Sequence, residues 1–410
     1  MRTRFIRRRV QPRFGLLLVG LILMGCGGQP PAPTITEEAV IPTVAVPTAA
    51  PTATAVPEPT ADPNAAPSLA WTYDAGGAIN HPPLPVGDVV IIVPARGPLI
   101  AFDMTTGSLR WQFDPPERIW DRAYTSDGRF LFVGIEGGRL VALDAQTGEL
   151  RWEKTLGINV QHPPVAADGV LYVPTTFVGT GLLGDPFGKA VLFALNPEDG
   201  RELWSFESDN YILQSPFRFG DTVYLSGSYE APEEVEEGGQ MRLYALSAAD
   251  GRVKWTYESD DGFPKQLYAN ETAVAYIAYQ DFANGIDARS GELLWRKDTG
   301  NWVPTLSGAA DIIYFGSANT VVHALNVADG AVAWKFDIPE GTFNYVLGAP
   351  VRAGDTLYFL TQQGDIMALN AQNGTLRWHI STDIASHTGL SVSNGWLFIG
   401  DEKGVLYAFK

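Results

Sequence analysis

Along most of this chain apolar and polar residues alternate in short runs, and the runs come in pairs joined by a turn. "LIAFDMTTGSLRW" (residues 99–111) is one pair: an apolar stretch, Asp103, a polar stretch ending in Gly107, then a second alternating run carrying Trp111. Alternation of period two predicts half-buried β-strands. The Asp side chain can bond a neighbouring turn amide, and the glycine can take the positive φ of a tight hairpin. The pattern returns as "LVALDAQTGELRW" (140–152), "LFALNPEDGRELW" (192–204), "LYALSAADGRVKW" (243–255), "ANGIDARSGELLW" (283–295), "VHALNVADGAVAW" (322–334) and "IMALNAQNGTLRW" (366–378). In every copy a small residue (Ala101, Ala142, Ala194, Ala245, Gly285, Ala324, Ala368) lies ten positions before the Trp, and a glycine (Gly107, Gly148, Gly200, Gly251, Gly291, Gly330, Gly374) lies four before it. Two spacings held through seven copies define a repeat.

Upstream of most copies lie two further strand-like runs, such as "PPLPVG" and "DVVIIV" before the first. Four strands per unit, with tryptophans about 40 to 52 residues apart, predict the blades of a propeller. The ends of the repeat region complete the count. Trp71 in "AWTYD" has no hairpin before it, and "GVLYAFK" (404–410) places Ala408 at the small position with no Trp after it. Pairing these two segments makes an eighth blade and closes the ring, which removes open sheet edges. The expected fold is all-β: an eight-bladed β-propeller of four-stranded antiparallel blades over residues 68–410, with repeat tryptophans Trp71, Trp111, Trp152, Trp204, Trp255, Trp295, Trp334 and Trp378.

What precedes residue 68 follows other rules. Residues 1–25 hold six arginines and then an apolar run that ends at Met24. That run is shorter than the roughly 20 residues a bilayer crossing takes, and it suits a signal peptide. "LMGC" (residues 23–26) resembles the bacterial lipobox, in which cleavage leaves a lipid-modified Cys, here Cys26. As the one cysteine of the chain, Cys26 cannot enter an intrachain disulfide. Residues 26–67 then read as a stalk, with ten prolines among Thr and Ala. Such a segment favours extended PPII-like conformations reaching on the order of 120 Å. Removing the leader takes the formal charge from −17 to −23, a surface that repels nucleic acid and anionic lipid headgroups.

The repeat A-x-[DN]-x-x-[TD]-G-x-x-x-W resembles that of the PQQ-type propellers across residues 68–410. The resemblance implies that the Trp of one blade docks onto small residues of a neighbouring blade, which would account for the Ala and Gly of the small position. One branch of that family comprises quinoprotein dehydrogenases. Another comprises BamB-like lipoproteins of outer-membrane barrel assembly, which are acylated, eight-bladed and without a cofactor. In size and anchor this chain resembles the second branch, although its long stalk departs from that branch's usual pattern.

Enzyme motifs fail on inspection. "GDPFGKA" (residues 184–190) is one residue too short for a P-loop and has Ala in place of Ser or Thr. No G-x-S-x-G or H-E-x-x-H occurs, and a single Cys cannot supply the adjacent pair typical of quinoprotein alcohol dehydrogenases. Two constellations remain. His81, His162 and His387 fall at the start of innermost strands, beside Ser215 and Thr388. They would ring one mouth of the central channel as a small-ligand site, or as polar lining of a water-filled pore. His323 and His379 read as ordinary strand residues. Blades three and four carry extra length between their second and third strands: residues 175–190, with Phe177, Leu182, Leu183 and Phe187, and residues 226–241, with Glu230, Glu233, Glu234, Glu236 and Glu237. These hairpins are a composite partner site or tolerated surface insertions. The expectation is an exported, lipid-anchored, monomeric, non-enzymatic scaffold for an envelope protein. It sits at the outer face of the cell membrane or at the outer membrane, with no metal and no nucleic acid. The alternative is a PQQ-dependent dehydrogenase or a small-ligand sensor using the channel mouth.

Overall fold

The computed structural model describes residues 64–95, 97–115, 117–176, 190–208, 212–228, 241–259, 266–278, 281–339, 345–346, 348–386 and 388–410. Cys26 lies outside them, as do Phe177, Leu182, Leu183, Phe187, Glu230, Glu233, Glu234, Glu236, Glu237 and His387. Pro59–Lys410 forms one compact unit, and its described residues make eight antiparallel sheets. Seven of them use consecutive strands. The first runs Leu84–Val86, Val89–Ile92, Leu99–Asp103 and Leu109–Phe113 from the inside outward. The eighth is composite. Leu390–Ser393, Trp396–Gly400 and Val405–Phe409 are completed by Leu69–Asp74 from the other end of the repeat region. Trp71 lies opposite Ala408 and Asp74 opposite Val405, and Ser68 and Lys410 exchange two backbone hydrogen bonds of 2.9 Å. The protein is an eight-bladed β-propeller closed as its sequence implies.

Packing explains why the middle strands are apolar throughout. Each blade is covered on both faces by its neighbours, so every residue of Val89–Ile92 and of Phe130–Ile135 is buried. Outermost strands such as Leu150–Thr155 alternate between exposed and half-buried. The core is therefore a ring of layers, one between each pair of blades. Trp111 of the first blade packs with Ile119, Leu131 and Val133 of the second. At the far side Trp378 of the seventh meets Leu390, Leu397 and Phe409 of the eighth, and Trp71 and Phe398 of the eighth meet Ile92 and Phe102 of the first.

The hairpin turn does two jobs. Its first residue organises the turn: Asp103 Oδ1 accepts the amides of Thr105 and Thr106 at 3.0 and 2.8 Å. Hydrogen bonds from Thr105 and Arg110 hold this carboxyl well below the usual carboxylate range. The turn also receives the preceding blade's tryptophan. Trp71 Nε1 donates to Met104 O at 3.1 Å, Trp152 to Pro197 O at 2.8 Å and Trp334 to Ala371 O at 3.1 Å, and Trp111, Trp204, Trp255 and Trp295 repeat the bond. The acceptor always belongs to the residue after the turn-opening Asp, Asn or Ser. The indole face lies on the turn glycine: a Cβ on Gly374, whose φ is +72°, would come within 2.5 Å of the Trp334 ring.

One expectation is corrected here. The small residue ten before each Trp is not the surface onto which a neighbour's indole docks; the turn glycine is. Ala101, Ala142 and Gly285 instead pair directly opposite the Trp of their own blade. A Cβ on Gly285 would stand 2.2 Å from the Trp295 ring, so the small residue leaves room for its own blade's indole. Trp378 is the exception in the ring. The hairpin that would receive it is replaced by the pairing of Ser68 with Lys410, and its indole N–H has no acceptor among the described residues. It is nonetheless buried, with Tyr358 packed at 5.8 Å.

Candidate functional site

One end of the propeller is laced by backbone hydrogen bonds. Among the described residues, in six blades the loop between the second and third strands donates to the segment leading into the first: Ala95 to Ala78, Glu136 to Arg118, Thr176 to Asn159, Ala318 to Trp302, Gln362 to Tyr345 and Glu402 to Ala385, all at 2.8–3.0 Å. Both candidate constellations fall at this end. His81 and His162 lie three residues ahead of Leu84 and Val165, the innermost residues paired with Ile91 and Tyr172. The two histidines therefore occupy equivalent places in blades one and three, and both are half-buried.

The same register corrects the neighbour list. In blade four Phe217 pairs with Tyr224, which makes Gln214, not Ser215, the counterpart of His81 and His162. Gln214 is buried at 7 % exposure. Sequence reading missed it because its place depends on strand register, and the only signal was a polar residue three ahead of the "FRF" run. Burial, with the charge of Arg122 second, lowers His162 to about 4, so the imidazole is neutral.

The two insertions spring from a shared root. Thr176 lies two residues past the second strand of blade three, Val170–Pro174, Ser228 ends that of blade four, and both pair with Ile212. Residues 177–189 and 229–240 therefore depart from adjacent points of the laced end, on either side of one short strand, Ile212–Leu213. The side chains proposed as partner anchors belong to those residues and lie outside the described set.

The remaining histidines hold structure. His323 is buried at 5 % exposure, stacked on Phe315 at 5.0 Å and 3.2 Å from Ser317 Oγ. His379 Nε2 and Ser381 Oγ both meet Asp365 Oδ1, at 2.9 and 2.8 Å. Because one imidazole nitrogen faces both the carboxylate and the hydroxyl, this cluster has no relay geometry. Among the described residues no group of three or more His, Cys, Asp or Glu side chains is gathered closely enough to hold a metal ion. A cleft of about 510 Å³ lined by Pro94, Gly97, Asp114, Pro115, Arg118 and Ile119 opens between blades one and two, apart from His81, His162 and Gln214.

Against known proteins, residues 53–120, 106–336 and 188–410 match the family described as outer membrane protein assembly factor BamB (PQQ_2). The chain is 25 % identical to the protein of that name from Yersinia pestis over 280 residues, 62 % of this chain and 64 % of the relative, so it spans just under two thirds of that relative's length. It is 25 % identical to the one from Burkholderia pseudomallei over 370 residues, 83 % of this chain and 87 % of the relative. Among solved structures, quinohemoprotein alcohol dehydrogenase from Comamonas testosteroni superposes with a TM-score of 0.63 at 14 % identity, covering 84 % of this chain and 76 % of that one. This last likeness is one of fold alone.

Proposed function

Because the chain belongs to the family of outer membrane protein assembly factor BamB, we propose that it is a non-enzymatic scaffold, exported, anchored through a lipid on Cys26, and built to hold another protein of the cell envelope. One observation carries the reading: the two long insertions are rooted on either side of Ile212. Two insertions rooted so close together on a closed ring would act as a single composite surface. Interface energy concentrates in a few central anchors, and Phe177, Leu182, Leu183 and Phe187 are the residues for that role. Glu233, Glu234 and Glu236 of the second hairpin would set specificity and association rate more than affinity.

Recovery of crosslinked partners from membranes tests both halves. Replacing residues 177–189 by a four-residue turn should abolish recovery without lowering the melting temperature, since the layers on both sides of blade three are built from other residues, such as Leu171, Val173, Leu192 and Ala194. Cys26→Ser should release the chain from membranes, because stable attachment takes two or more lipid chains. Undiminished recovery after the loop is shortened would remove the insertions as the partner site, and quinone absorbance in the purified protein would overturn the scaffold reading in favour of a quinone-dependent dehydrogenase.

A further inference from the structure

Three backbone segments meet at the corner between blades three and four. Thr176 N donates to Asn159 O at 2.8 Å, Leu213 N to Thr175 O at 3.3 Å, and Thr176 also bridges Ile212. Residues paired across strands share a face, as do residues two apart in an extended chain. Asn159, Thr176 and Gln214 therefore fall on one side of the corner, with His162 three residues beyond Asn159. All four are polar, and among the described residues none of their side chains has a hydrogen-bond partner. Thr176 is 5 % exposed and Gln214 7 %, and Asn159 and His162 are half-buried.

Buried polar side chains are almost always bonded, and two buried residues elsewhere in this protein show how. Asn270 Oδ1 accepts the amides of Thr272 and Ala273, and its Nδ2 donates to Asp311. Asp401 takes the amides of Lys403 and Val405 and the Tyr407 hydroxyl. Thr176 Oγ1 departs from the rule, as do Trp120 Nε1, two Arg218 nitrogens and Ser391 Oγ elsewhere, and in this corner it lies on the same side as the unbonded side chains of Asn159 and Gln214.

We propose that this corner is a subsite for the carboxylate group of a small ligand. The amides of Asn159 and Gln214, the Thr176 hydroxyl and one imidazole N–H of His162 are all available donors. Arg122 of blade two brings positive charge. It is exposed, has no ion pair among the described residues, and is near enough for its charge to act on His162. Arg122, like Arg201, Arg289 and Arg352, has no carboxylate partner among the described residues, and carboxylates are the groups guanidinium binds best. A neutral His162 adds a donor without adding a second charge to be buried. The proposal is independent of the scaffold reading, because neither Arg122 nor Gln214 belongs to the insertions.

The test follows the side-chain amide resonances of Asn159 and Gln214 and the His162 ring by NMR of the purified protein, with acetate, succinate and uncharged methyl acetate as probes. Saturable shifts at these groups with acetate or succinate, and none with methyl acetate, are expected. Arg122→Gln, a change at an exposed side chain, should weaken binding about tenfold, the loss of one charge-assisted hydrogen bond. Gln214→Leu should remove binding while leaving the melting temperature unchanged or raised, since it exchanges an unbonded buried amide for an apolar side chain. The proposal falls if neither carboxylate gives a saturable shift, if methyl acetate shifts the same resonances equally, or if Arg122→Gln binds as tightly as the parent. Absence of shifts would mean that the corner holds only water or accepts only a partner's own carboxylate.

Discussion

His323 shows how a single side chain ties this fold to pH. It sits at the interface of blades five and six on Phe315, within reach of Ser317 Oγ. Burial above all, with Lys335 next and Lys297 beyond the opposing effect of Asp337, lowers it to about 4. A folded-state value below the ordinary 6.5 means that the unfolded chain binds more protons as pH falls from about 6.5 to about 4. The stability that rests on neutral His323 is thus complete above pH ~6.5 and is lost on acidification through that window, to a total on the order of 3 kcal/mol. Denaturant melts from pH 8 to pH 4 should show the parent losing more stability than His323→Gln, whose side chain does not titrate. Parallel curves would mean that the imidazole is not buried in solution. None of this was legible in the sequence, where a lone histidine in an alternating strand looks like any polar residue. Gln214 was hidden for a related reason: which residue stands at the channel mouth depends on pairing with Tyr224, and pairing is not written in composition.

At the scale of the element the hairpin turn was legible, because one short motif carries several constraints at once. The turn-opening Asp or Asn, the glycine and the tryptophan each have a local reason, and the spacing that satisfies all of them leaves little freedom. The reason for the small residue was misassigned. A resemblance gives the pattern, but only register shows that Ala101 faces Trp111 rather than a neighbouring blade's ring. The hairpin's worth as a receptor can be measured by comparing Trp334 with Trp378. Both are 8 % exposed, but only Trp334 bonds a carbonyl and rests on a turn glycine. Trp334→Phe should therefore cost about 1 kcal/mol more than Trp378→Phe in chemical denaturation, since it also removes the indole's bond to the Ala371 carbonyl, which then keeps only that of the Tyr314 hydroxyl at 3.3 Å. Equal losses would show that the bond adds nothing to the stack.

For the whole molecule the decisive element is the strand Leu69–Asp74. Trp71→Ala, or deletion of residues 68–74, should destabilise the propeller by about 3–5 kcal/mol, as expected for a large aromatic removed from a core. Deleting residues 29–60 should leave the melting temperature unchanged; a Trp71→Ala protein that melts with the parent would mean that the ring does not depend on its closing strand. The same pairing also fixes an order in time. Each of the other blades can fold from neighbouring sequence as the chain is made. Leu69, by contrast, meets Phe409, and that contact cannot form until nearly the whole chain has arrived. Contacts between residues so far apart slow folding, because the entropy of closing the loop must be met before any bond rewards it. Folding should thus pause at a seven-bladed intermediate, ajar, with Val405–Phe409 as an uncovered edge open to any extended chain nearby. Refolding should show a slow final step that vanishes in a circular permutant whose new ends lie between two blades.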